Sequence, residues 1–293
     1  MPENPPKNES NISPLAQVHP DAVIGEGVTI SAFCYIEKDV VIGDNTWIGP
    51  NVSIFEGAII GQSCQIFPGA VIAAVPQDLK FGGEKTTVEI GDHTIIRECV
   101  TIHRGTKHSY KTTVGNHCLL MAYTHIAHDC QVGNHVIMAN CVQLAGHVTI
   151  CDYAILEGLV AVQQFITVGE YTFIAGGSLV RKSVPPYVKA AREPLSYIGV
   201  NKVGLSRRGF SNETITHIQN IYRHLFVTGH SFPKALSIIR ETEPETPERE
   251  RIFDFIQNAK GIMKGFNSRS DSTKNNTSDT SSNGIGDKIL INT

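Results

Sequence analysis

The stretch Ile24-Gly25-Glu26-Gly27-Val28-Thr29-Ile30-Ser31-Ala32-Phe33-Cys34-Tyr35-Ile36-Glu37-Lys38-Asp39-Val40-Val41-Ile42 decides the architecture. Every sixth residue is isoleucine, the residue two places before each is small or β-branched, and Gly25 and Gly43 directly follow an isoleucine. Extended outward, the same series runs from Ile12 to Val180 through 29 positions, of which 26 are aliphatic; Asp78, Glu84 and His108 are the exceptions. Composition alone predicts about ten aliphatics at that many positions. A period of six fits neither a helix nor a half-buried strand. It predicts a solenoid of very short strands, one aliphatic per strand pointing inward, with Gly or Asn where the turns need unusual backbone angles. Three hexads make a triangular coil of 18 residues, so residues 12–184 form a parallel β-helix of nine to ten coils.

The breaks in the period place the remaining parts. Residues 73–86 and 105–112 carry turn residues and charges where hexads belong, and read as loops extruded from the prism, where binding faces concentrate. Residues 1–11 read as a flexible leader. Residues 185–266 read as an irregular, Arg-rich linker over 188–210 followed by a small helical domain. Its helices start near Ser211, after Ser231 with Pro233 in the first turn, and at Thr246-Pro247. The Ser/Asn/Asp/Thr-rich run 267–293 reads as a disordered tail.

Composition limits the function classes. The 25 Lys+Arg against 28 Asp+Glu give a net charge of −3, which excludes a polybasic nucleic-acid binder. No run approaches the roughly 20 apolar residues of a membrane span, and residues 1–7 lack a signal-peptide core, so a soluble cytoplasmic protein is expected. The 7 cysteines are scattered without C-x-x-C pairs and read as small buried side chains. Aromatics are only 7%, as stacked aliphatic columns require. Of the 12 histidines, 8 fall between residues 93 and 147.

The densest chemistry is His125-Ile126-Ala127-His128-Asp129. With 18 residues per coil and about 4.8 Å between strands, His128 lies beneath Gly146 and two coils beneath Gln164, with His147 one residue off that column. A His beside an Asp suits a general base near neutral pH. A Gly above it leaves an N–H open as an oxyanion donor. Two other readings stay open: His125, His128 and His147 as zinc ligands of a γ-carbonic-anhydrase-type lyase, or a non-catalytic scaffold. His19, His93, His117 and His135 individually read as ordinary surface histidines.

Several ordered motifs add a resemblance. Val88-Glu89-Ile90-Gly91-Asp92, Thr101-Ile102-His103-Arg104-Gly105-Thr106, the His125–Cys130 stretch, Leu144-Ala145-Gly146-His147, Gly199-Val200-Asn201 and Gly204-Leu205-Ser206-Arg207-Arg208-Gly209-Phe210 resemble acyl-[acyl-carrier-protein]:UDP-N-acetylglucosamine O-acyltransferases, as does Pro76-Gln77-Asp78-Leu79-Lys80. The resemblance spans about residues 12–265. It implies a left-handed β-helix, a homotrimer with the active site between subunits, and transfer of an (R)-3-hydroxyacyl group to the sugar 3-hydroxyl, the first step of lipid A biosynthesis. The acyl group would arrive on the phosphopantetheine of acyl carrier protein, with no metal or other cofactor. It further implies His128 as base, Asp129 as its orienting partner and Gly146 N–H as oxyanion donor. Asp78, Lys80, His125, His147, Gln163, Gln164, Asn201, Arg207 and Arg208 match substrate-binding positions, and Gly176 the acyl-length ruler. Two departures stand out: Gln163 replaces the family's histidine in Ala161-Val162-Gln163-Gln164-Phe165, and Val203 stands where an acidic residue is usual. The related N-acyltransferases, which carry a uridine-binding domain ahead of the hexads, fit less well.

Overall fold

The computed structural model describes residues 10–259 and 261–265; the leader up to residue 9 and the polar tail lie outside them. Two-residue strands stack into three parallel sheets, the faces of a left-handed prism. Sheet I starts with Asn11–Ile12 and Thr29–Ile30, sheet II with Gln17–Val18 and Tyr35–Ile36, and sheet III with Val23–Ile24 and Val41–Ile42. Asn11 is therefore part of the first strand rather than of a leader. The register advances by 18 residues per coil, as in Thr29↔Trp47. It advances by 30 at Val71↔Thr101 and by 24 at Thr101↔His125. The two loops thus add 30 − 18 = 12 and 24 − 18 = 6 residues, whole hexads that leave the phase unchanged. Regular stacking resumes above them.

The hexad aliphatics are the core. From Ile30 to Val180 they are at most 4% exposed, and the small residues two places earlier fill the space between columns. Each buried aliphatic contributes roughly 1.5–3 kcal/mol. Cys34, Cys64, Cys118 and Cys130 occupy the small positions, where Sγ reaches a carbonyl at the next corner (Cys34 to Gly49 O, 3.0 Å; Cys118 to Gly133 O, 3.0 Å). Cys99 departs from the expectation: it is exposed at a corner.

Glycine does a different job from the one expected. The left-handed φ of most corners falls on the third residue after the aliphatic, which is usually not glycine: Asn45 (58°), His93 (56°), His117 (55°) and His147 (62°). Its N–H donates to the coil below, as from His117 to Asp92 O at 2.8 Å, which offsets the strain. The glycine after the aliphatic is required by close approach instead: a Cβ on Gly115 would lie 2.6 Å from the backbone of Gly133.

The loops and the linker are shorter than expected. Strand Val71–Ala74 and strand Thr87–Ile90 bound the first loop at 75–86, and Lys111–Val114 ends the second at residue 110 because Lys111 and Thr112 pair with Thr87 and Val88. The stretch 188–210 is ordered, not irregular. Val188–Ala191 extends sheet I and pairs antiparallel with Ser196–Val200, followed by helix α1, Lys202–Arg207. Val188 and Ala190 are buried and Lys189 exposed, a period of two too short to stand out beside Arg192 and Pro194. Helices α2 (Asn212–Phe226), α3 (Phe232–Thr242) and α4 (Pro247–Asn258) follow, with Ser211 and Thr246 accepting capping N–H groups. The phenol of Tyr222 on α2 donates to Pro186 O at 2.6 Å and ties the helices to the last coil. Among the described residues no helix is long and apolar enough to cross a membrane.

Candidate active site

The edge between sheets II and III carries the site. His128 follows strand His125–Ile126, and Asp129 takes the left-handed corner at φ 60°. Nδ1 of His128 lies 2.8 Å from Oδ2 of Asp129, whose side chain has no exposed surface. That bond assigns the proton to Nδ1 and leaves Nε2 as the basic nitrogen. Gly146 sits one coil above: a Cβ there would meet His128 Cε1 at 2.5 Å and Nε2 at 2.7 Å, so only glycine fits over the ring. At the edge between sheets III and I the equivalent N–H groups donate to Asp or Asn side chains, as from Asn116 to Asn134 Oδ1 at 2.9 Å. Gly146 N–H has no acceptor among the described residues.

The second loop completes the Asp129 environment, which sequence reading missed. Oδ1 accepts the Thr106 N–H (3.1 Å), the Ser109 N–H (3.1 Å) and the Ser109 hydroxyl; Oδ2 accepts the Thr106 hydroxyl at 2.7 Å. Burial raises the carboxyl pKa, but the bonds from Ser109, Thr106 and His128 outweigh it and hold it down at about 2. Asp129 is thus a permanent anion beside His128.

His147 packs edge-on to His128 (5.0 Å) and stacks on Phe165 (4.4 Å). Its Nδ1 is buried without a hydrogen-bond partner. At 3.8 Å from Asp129 Oδ2 it is within ion-pair range. Burial nevertheless lowers its pKa against the pull of Asp129, and we read it as neutral. His125 bonds Thr101 Oγ1 through Nδ1 at 2.7 Å and packs edge-on to His103. His103, also missed, is 5% exposed, and burial, with His125 and His128 nearby, depresses its pKa to about 4. Its sequence signal was its place in the Thr101–Thr106 motif. His108 meets His147 edge-on at 4.6 Å, and both line a cleft of about 350 Å³ beside Asp129.

Asp78 lies close enough to His147 to favour its charged form. Its Oδ1 accepts the Lys80 N–H at 3.0 Å in an exposed turn, so Lys80 shares the first loop with it. Gln163 and Gln164 are exposed in the coil above Gly146. The remaining predicted residues stand elsewhere. Asn201 caps α1, accepting the Gly204 N–H and donating to Tyr171 O at 2.9 Å. The Arg208 guanidinium lies 5.2 Å from the Tyr153 ring, near the edge between sheets III and I, with Arg207 exposed beside it. Gly176 is at the third edge, its N–H donating to Glu157 Oε2 at 3.2 Å. One chain therefore distributes the predicted site over three edges. His93, His117 and His135 form a separate stack at 4.9 Å spacing that continues into Tyr153.

The metal reading selects different ligands from those expected. Among the described residues, the ligand atoms that cluster within 4.8 Å of one another belong to His128, Asp129 and His147, while His125 turns to Thr101. His128 Nδ1 and Asp129 Oδ2 already bond each other, and the other carboxylate positions are filled by Thr106 and Ser109.

Comparison with known proteins bears on the chain as a whole. Residues 184–264 match the family model described as UDP-N-acetylglucosamine O-acyltransferase, domain 2, and residues 39–74 and 111–146 match bacterial transferase hexapeptide repeats. The chain is 51% identical to the acyl-[acyl-carrier-protein]–UDP-N-acetylglucosamine O-acyltransferase of Chlorobaculum tepidum, over 88% of this chain and 99% of that protein. It is 53% identical to that of Chlorobaculum parvum, over 87% and 100%. The crystal structure of a UDP-N-acetylglucosamine acyltransferase from Bacteroides fragilis superposes with a TM-score of 0.84 at 48% identity, covering 86% of this chain and 98% of that one. The Francisella novicida enzyme gives 0.83 at 42%, over 86% and 94%. Resemblance in the motifs, near-complete coverage of curated relatives and the same fold lead to one conclusion: the chain belongs to the acyl-[acyl-carrier-protein]–UDP-N-acetylglucosamine O-acyltransferase family.

Proposed function

We propose that this protein transfers an (R)-3-hydroxyacyl group from acyl carrier protein to the 3-hydroxyl of UDP-N-acetylglucosamine. The relatives' named reaction opens lipid A biosynthesis. The observation that carries the mechanism is the half-buried His128 bonded to the buried Asp129 under Gly146. Nε2 of His128 takes the proton from the sugar hydroxyl as its oxygen attacks the thioester carbonyl. Asp129 stabilises the imidazolium that forms. The tetrahedral oxyanion accepts the Gly146 N–H. Collapse breaks the C–S bond, and the imidazolium gives its proton to the departing thiolate, which leaves as the carrier protein's free thiol. No residue is acylated and no metal or cofactor takes part. His125, His147, Asp78, Lys80, Gln163 and Gln164 contact substrate around this edge, and a cytoplasmic setting suits a reaction that draws on carrier protein.

The scatter of Asn201, Arg207, Arg208 and Gly176 over other edges supports a trimer whose cleft joins two subunits. So does the outer face of sheet I, where Ile95, Leu119, Ile137, Ile155 and Phe173 form a continuous half-buried apolar ladder, with Trp47 below it across the exposed Gln65. Beside that ladder the rungs of sheet III are Glu89, Thr113, Gln131, Thr149 and Thr167; its apolar rungs Val23, Val41 and Ile59 lie in lower coils. Against a second copy the ladder would be covered. The decisive experiment incubates purified protein with UDP-N-acetylglucosamine and 3-hydroxyacyl carrier proteins of several chain lengths. An ester at O3, with one length preferred, is expected; no transfer from any donor contradicts the proposal.

A further inference from the structure

We propose that Thr106 and Ser109, on the second extruded loop, are positioning residues that commit the Asp129 carboxylate to His128 and withhold it from His147. The inference rests on the reading of His128 as the base. A carboxylate offers about four lone-pair sites, and five donors converge on this one. Three fall on Oδ1, from Thr106 and Ser109. Oδ2 takes the Thr106 hydroxyl at 2.7 Å and His128 Nδ1 at 2.8 Å. Both lone pairs of Oδ2 are then filled. His147 Nδ1, 3.8 Å from the same oxygen and buried, remains without a hydrogen bond. Two histidines thus flank one aspartate, and the loop hydroxyls decide which is served.

The loop is itself held. Lys107 N–H donates to Glu84 Oε1 at 2.8 Å, and the Arg104 guanidinium donates to Glu56 O at 3.1 Å and lies 5.6 Å from the Phe81 ring. Glu84 and Phe81 belong to the first loop, which also carries Asp78 and Lys80. The titratable groups facing the pair are His103, His125 and His147, with His108 and Asp78 beyond His147. Removing hydroxyl donors leaves the Asp129 charge less dispersed. The anion then favours protonated imidazole more strongly and is open to both histidines.

The test compares Thr106→Val, Thr106→Ser, Ser109→Ala and His128→Ala with the wild type in the transfer assay across pH. For Thr106→Val and Ser109→Ala we expect kcat to fall about tenfold with KM little changed, and the acid limb of kcat/KM to move up by about half a unit or more. Thr106→Ser should restore both. If the two variants keep the wild-type kcat and acid limb, or lose rate with no movement of the limb and no rescue by serine, the inference is overturned. Should Thr106→Val not fold, Ser109→Ala, which loses one oxygen, carries the test. His128→Ala separates the two levels: wild-type activity there removes the base itself, whereas an inactive His128→Ala beside normal loop variants removes only the positioning role.

Discussion

Gly146→Ala would set a methyl carbon 2.5 Å from His128 Cε1. The ring must move, and a displaced base costs about 100-fold in kcat; a transfer assay with a thermal melt distinguishes this from unfolding. His103 makes a second residue-scale prediction. Its folded pKa of about 4 lies below the ordinary 6.5. Below pH 6.5 the unfolded chain therefore binds a proton that the folded one refuses, and stability is lost as pH falls toward 4. Asp129, depressed from 3.8 to about 2, adds a further loss between those values. Melting temperature should fall by several degrees from pH 6.5 to 4, and His103→Leu should flatten that part of the curve. An unchanged slope would contradict the assignment of His103 as buried and neutral. The approach of His128 to Gly146 was legible in the sequence, because both loops precede residue 112 and add whole hexads. Thr106 and Ser109 were not, since no periodicity governs how an extruded loop folds back.

At the scale of the element, the hexad separates two kinds of glycine. Gly115→Ala would drive a Cβ to 2.6 Å from the Gly133 backbone, which cannot yield without shifting a coil. We expect a loss of ~1–3 kcal/mol. A Cβ on Gly158 meets only Asn140 O at 3.4 Å, and Gly158→Ala should stay within about 0.5 kcal/mol of wild type. Denaturant melts of the pair check this, and equal losses would refute it. The sequence carried the strands, helices α2 to α4 and their starts, because each has a period or a cap. The 188–200 hairpin and α1 escaped notice: the strands are short and α1 has only six residues. Their order comes from docking on the last coil.

For the whole molecule, the account requires neighbouring subunits to complete the site. Leu119→Glu with Ile155→Glu places two charges on the apolar ladder of sheet I. Light scattering is expected to show the proposed trimer for the wild type and its loss in this variant, with transfer lost too; an unchanged trimer mass in the variant would move the interface to another face. Such assembly is not legible in one chain's period, because the hexad fixes what points inward and leaves the outer faces free. The central claim is narrower: one imidazole removes the proton from the accepting hydroxyl. It is tested by transfer of a 3-hydroxyacyl group from carrier protein to UDP-N-acetylglucosamine by folded, assembled His128→Ala. The predicted rate is about 100-fold or more below wild type, and a rate close to wild type would contradict the account.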